Sequence, residues 1–142
     1  MAAILQKILR GLKSPSSALE YVLSLLKGHY YRIKYSFVLN KASFGKKFRV
    51  QGPMKISGPG KVYFGDNILV CGLGHPVTPF THHKDAVIKI GSNSFVNGTR
   101  FGCQTAITIG EYAILGDARI LDTDFHSIHP DRWSPEAMIE SA

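Results

Sequence analysis

Acidic side chains are almost missing from the first fifty residues. Glu20 stands alone there against ten lysines and arginines, a balance of +9, whereas residues 51–142 hold nine acids against seven bases, or −2. The formal net charge of +7 therefore belongs to one third of the chain. Cysteine is scarce as well. Cys71 and Cys103 are the only two and lack C-x-x-C spacing, which excludes a disulfide framework and leaves both as reduced, small hydrophobic residues. No apolar run reaches the roughly 18 residues of a membrane span. Lys7 and Arg10 interrupt the first apolar stretch before a secretory signal could form. The expected location is cytoplasmic, with a membrane-peripheral position as the alternative. The basic residues form no RNA- or DNA-reading motif, so no nucleic-acid partner is expected.

What is present is enough for one folded unit with a real core: 142 residues, 44% hydrophobic and 19% charged. Residues 1–42 read as a basic, amphipathic helical region. Ile4, Leu5, Ile8, Leu9 and Leu12 fall within about 140° of a helical wheel, with Lys7, Arg10 and Lys13 opposite. Residues 1–13 have two readings, a peripheral contact with an anionic membrane or a cap over the first coil of the repeats that begin at residue 43. Ser14-Pro15 reads as an N-cap and first helical position of a second helix. That helix runs apolar from Ala18 to Leu26 and is expected to stop at Gly28. The next stretch, "YRIKYSFVL", alternates like a strand at Tyr31, Ile33, Tyr35, Phe37 and Leu39 and is also compatible with a helix.

From residue 43 the chain repeats. "SFGKKFRV", "YFGDNILV", "KIGSNSFV" and "TIGEYAIL" share an apolar residue before glycine and an aliphatic residue six places later. Their glycines, Gly45, Gly65, Gly91 and Gly110, lie 20, 26 and 19 residues apart, which is three hexads plus two, eight and one. Val50, Ile56, Val62 and Ile68 keep a six-residue step, as do Ile109, Leu115 and Leu121. Neither a helix nor a flat strand has that period. It fits a triangular parallel β-helix with aliphatic residues stacked inward and glycine tolerating the corners. Val50, Ile56, Val62, Ile90, Val96, Ile109 and Leu115 are the expected inward residues, with Leu121 closing the last row.

With V-Y-F-G at Val62, I-K-I-G at Ile88 and I-T-I-G at Ile107, residues 43–133 resemble the hexapeptide-repeat acyltransferases. The resemblance implies a mainly β fold, a left-handed parallel β-helix of about four coils preceded by N-terminal helices. It also implies a homotrimer and acetyl-coenzyme A as acyl donor. "DTDFHSIHPDRW", which comes after the last repeat, looks like the aspartate-rich turn, histidine and proline of members that O-acetylate sugars and polysaccharide precursors. His126 matches the histidine that takes the proton of the acceptor hydroxyl, and His129-Pro130 falls where relatives often have Asp-Pro. A base with a pKa near neutrality suits that task, and such proton transfer contributes about 10²–10⁴-fold. Asp122 or Asp124 is expected to accept the other imidazole N–H.

The eight-residue excess between the second and third repeats places an extruded loop at residues 72–86. There His75, His82, His83 and Phe80, together with His129, are candidates for shaping an acceptor pocket. Carbonic anhydrases of the γ class share this fold and hold zinc with three histidines; their ligand pattern is not matched here, so no metal is expected and a metal protein of that kind is the lesser alternative. Relatives continue the β-helix beyond the histidine turn with coils that form much of the coenzyme A site. Here residues 134–142 read as a tail without a hexad. The corresponding expectation is a truncated acetyltransferase of weak activity, or else a non-catalytic interaction module on a β-helix scaffold.

Overall fold

The computed structural model describes residues 15–123. Helix α1, Pro15–Arg32, starts with proline, whose missing N–H and fixed φ suit a first helical position, and passes without a break into a π-helical turn, Ile33–Val38. The stretch from Tyr31 is thus helical rather than extended. Gly28 does not end the helix. A Cβ at Gly28 would lie 2.2 Å from the Phe48 carbonyl oxygen, so this glycine lets the helix axis approach the first coil. Expected as a stop, it is a packing residue.

Eleven short strands come next among the described residues, all paired in parallel, two in the first coil and three in each of the other three. The first face stacks β1 (Ala42–Phe44), β3 (Lys61–Phe64), β6 (Val87–Ile90) and β9 (Ala106–Ile109). The second stacks β2 (Arg49–Gln51), β4 (Leu69–Cys71), β7 (Phe95–Asn97) and β10 (Ile114–Gly116). The third stacks β5 (Thr78–Thr81), β8 (Arg100–Cys103) and β11 (Arg119–Leu121), with Met54 and Ser57 of the first coil joined to β5 by single bridges. The protein is a four-coil β-solenoid carrying one described N-terminal helix.

The register matches the glycine spacing. Ser43 pairs with Tyr63, Tyr63 with Lys89 and Lys89 with Thr108, steps of 20, 26 and 19 residues. Side chains alternate across each strand, so Val62, Ile88 and Ile107 form one inward row and Val50, Val70 and Val96 another, all buried. Phe44 and Phe64 stack between coils with centroids 5.1 Å apart.

The repeat glycines act through close approach. Added Cβ atoms at Gly45 and Gly91 would lie 2.5 Å from backbone carbons of Gly65 and Gly110 in the next coil. The left-handed corner residue comes two places later, at Lys47, Asn67, Asn93 and Tyr112, with φ of 55°, 54°, 61° and 59°. Two of the four are asparagine, which tolerates that region, and Asn67 donates across the corner to Asn93 at 3.0 Å.

Two further expectations change. The excess over 72–86 does not form one loop, because Thr78–Thr81 is strand β5, with Pro79 and Thr81 buried. The extra residues are divided between the corners before and after that strand. Leu121 also faces outward, 47% exposed, and Ile120 packs on the core in its place, in register with buried Phe101.

Candidate functional site

The polar motif begins directly after β11. Asp122 and Thr123 are its described residues, and Asp124, His126 and His129 lie outside the described part of the chain. Asp122 sits at the corner between the third and first faces. Its Oδ1 accepts from the Gln104 backbone N–H at 2.7 Å, and its Oδ2 accepts from Thr105 at 2.6 Å and Ala106 at 2.9 Å. Those three donors face outward at the turn between β8 and β9, and a carboxylate from the next coil satisfies them together. Partial burial acts to raise the Asp122 pKa. The three N–H bonds, with the Cys103 thiol 3.6 Å from Oδ2, outweigh it and hold the carboxyl below its ordinary value.

Cys103 beneath it is buried and free. Burial, then the Asp122 charge, pushes its thiol pKa up, so it stays protonated at neutral pH and lacks the character of a nucleophile.

The other candidates divide over two corners. Phe80 and His82 meet edge to face with centroids 4.6 Å apart, and the His82 backbone N–H donates to the Cys103 carbonyl at 2.8 Å. Phe80, His82 and His83 of the second coil thus lie along the same solenoid corner as Asp122 of the fourth, with the Gln104–Thr105 turn of the third between them. His75 does not join them. It precedes β5 and lies at the other end of that strand from His82. There its Nδ1 is 3.2 Å from Asp117 Oδ1, an exposed pair that spans two coils. Coil three has Gly98 at this point, and an added Cβ there would lie 3.2 Å from the Asp117 carboxylate and 3.5 Å from the His75 side chain. That pairing makes His75 a surface staple between coils, of small energetic weight.

Sequence reasoning passed over Arg100 and Arg119. They are exposed, in-register neighbours on β8 and β11, and the next outward row carries Phe80, Gly102 and Leu121. The third face thus presents two exposed arginines in register beside an apolar strip that ends at the histidine corner. The 19-residue step applied to the last two coils would have found this pair. Among the described residues no three His, Cys, Asp or Glu side chains come together as a metal-binding group. The chain matches no family model, no curated protein and no solved structure.

Proposed function

We propose that the protein is an O-acetyltransferase of the hexapeptide-repeat type, moving an acetyl group from acetyl-coenzyme A to a hydroxyl of a sugar or polysaccharide precursor. The observation that carries this reading is the stacking register of 20, 26 and 19 residues. It supports treating the repeats that underlie the family resemblance as true coils, with "DTDFHSIHP" beginning at the end of the fourth.

In this reading His126 takes the acceptor O–H proton as the oxygen attacks the thioester carbonyl. A C–O bond forms, the C–S bond breaks, and the departing thiolate receives the proton from the imidazolium. Asp122 is occupied by three backbone N–H groups, which favours an anchoring part for it and leaves Asp124 as the residue to orient His126. Phe80 and His82 lie along the same corner and would contact the acceptor, with His129 and His83 as further candidates; His75 is set aside by its place at the other end of β5. Neither a metal nor a resident cofactor takes part. A homotrimer, as in the family, belongs to the same proposal.

The test is acetyl transfer from acetyl-coenzyme A across a panel of sugars, read by mass spectrometry, for the natural sequence and for His126→Ala. A fall of about 10²–10⁴-fold is expected. Transfer that is unchanged in the variant rejects the assignment.

A further inference from the structure

Helix α1 and the π-helical turn carry an apolar stripe on the side away from the solenoid. Leu19, Leu26 and Ile33 are seven residues apart, as are Leu23, Tyr30 and Phe37, so the six lie on one side of the helix. Leu23 is the least exposed of them at 45% and Phe37 the most at 78%. The opposite side, with Ser24, Gly28 and Tyr35, is packed on the first coil. Six exposed apolar side chains in one continuous stripe mark a contact surface rather than scattered surface residues.

Charge selects the partner. Along one flank lie Glu20, Lys27 and Lys34, seven residues apart and a net balance of +1. Along the other a cleft of about 230 Å³ lies between the helix and the first coil, lined by Leu25, Gly28, His29, Arg32, Lys47 and Phe48, three basic residues and no acid. Glu20 is the single acidic residue of the first fifty. A second copy of the same helix would bring like charges together around the stripe, and so would the basic residues 1–13. A surface that offers hydrocarbon in the middle and negative charge at its margin removes both costs.

We propose that α1 lies in the plane of an anionic lipid bilayer, its stripe in the interface and the basic cleft at the level of the phosphate headgroups. No helix among the described residues is long and apolar enough to cross a membrane, and an in-plane helix of this kind needs only a polar face and an apolar one. The proposal stands apart from the acyl-transfer reading and uses none of its residues.

Flotation of the full chain with vesicles tests it. Phosphatidylcholine vesicles containing roughly one-third phosphatidylglycerol should carry the protein in about 0.1 M salt and much less in about 0.5 M. Pure phosphatidylcholine should carry little. Leu26→Asp with Ile33→Asp replaces exposed side chains, so melting should be unchanged while vesicle affinity falls about tenfold or more. Lys27→Glu with Lys47→Glu keeps the stripe and should weaken binding to the mixed vesicles alone. Absence of flotation overturns the proposal. So does flotation unaffected by the Leu26 and Ile33 changes, which would transfer the contact to residues 1–13. An oligomer that those two changes dissociate, without effect on flotation, would assign the stripe to a second copy and overturn it equally.

Discussion

At the first coil of the solenoid the inward aliphatic residues Val50, Met54 and Ile56 are buried, whereas Ile109, Leu115 and Ile120 of the fourth coil are only partly covered. Both sets point inward. The difference is what lies beyond them. Over the first coil, α1 and the π-helical turn supply partners that the edge of a β-solenoid otherwise lacks. The Met54 and Ile56 backbone N–H groups donate to the hydroxyls of Tyr31 and Tyr35, each at 3.1 Å. Ser36 Oγ donates to the Ala42 carbonyl at 2.7 Å, and Arg32 donates to the Gly45 carbonyl. At the fourth coil no such helix stands among the described residues, and added Cβ atoms at Gly110 and Gly116 meet nothing within 4 Å. Alternation along each strand therefore sets which way a side chain points; the neighbouring layer decides how deeply it is buried.

Equivalent positions in successive coils turn that contrast into measurements. Ile90 and Ile109 are register partners, and Ile90 is 2% exposed while Ile109 is partly so. Ile90→Asp should unfold the domain by burying an unpaired charge, a cost of several kcal/mol. Ile109→Asp, which the hexad alone would rank with it, should leave a folded protein with a lowered melting temperature. Equal melting of the two variants would break the comparison.

The glycines give the next largest effect. Gly91→Ala forces its Cβ against Gly110 at 2.5 Å and should destabilise by about 2 kcal/mol or more, read from denaturant midpoints. Gly110→Ala occupies the same place in its repeat, meets nothing, and should stay within about 0.5 kcal/mol of the natural protein.

Asp122 ties the fourth coil to the third and should show a smaller effect that depends on pH. Its folded pKa is depressed, so its contribution is present above the usual carboxylate range and is lost as pH falls through the folded value. Asp122→Asn should thus be less stable than the natural protein by about 1 kcal/mol at pH 7, and the gap should narrow below about pH 4. A gap that is constant with pH would deny the carboxylate its part in holding the turn.

Much of this architecture is legible in the chain, because every step of the register reappears as a glycine spacing. The third face is the exception. Val96 to Phe101 and Leu115 to Ile120 are five-residue steps across its corner, so counting by six from Leu115 arrives at Leu121, one residue too far and on the outer surface. The strand at Thr78–Thr81 is obscured in the same way by longer corners on both sides and by Pro79 in its middle. The cap was not legible, since the hydroxyls of Tyr31 and Tyr35 acquire meaning only when unpaired strand N–H groups stand opposite them. Of the site, the common corner of Phe80, His82 and Asp122 was hidden by the same irregular steps, since Thr81 pairs with Cys103 at 22 residues, a step no glycine spacing repeats. The separation of His75 from that corner was hidden too, because it depends on β5 lying between them.

Amide hydrogen exchange on the natural protein and on Tyr31→Phe with Tyr35→Phe tests the central contrast most directly. The account predicts that the Met54 and Ile56 amides are protected in the natural protein and exchange far faster in the variant, while protection in the fourth coil is unchanged. Fast exchange at Met54 and Ile56 in the natural protein, or protection there that survives loss of both hydroxyls, would contradict the claim that the helix seals the first coil.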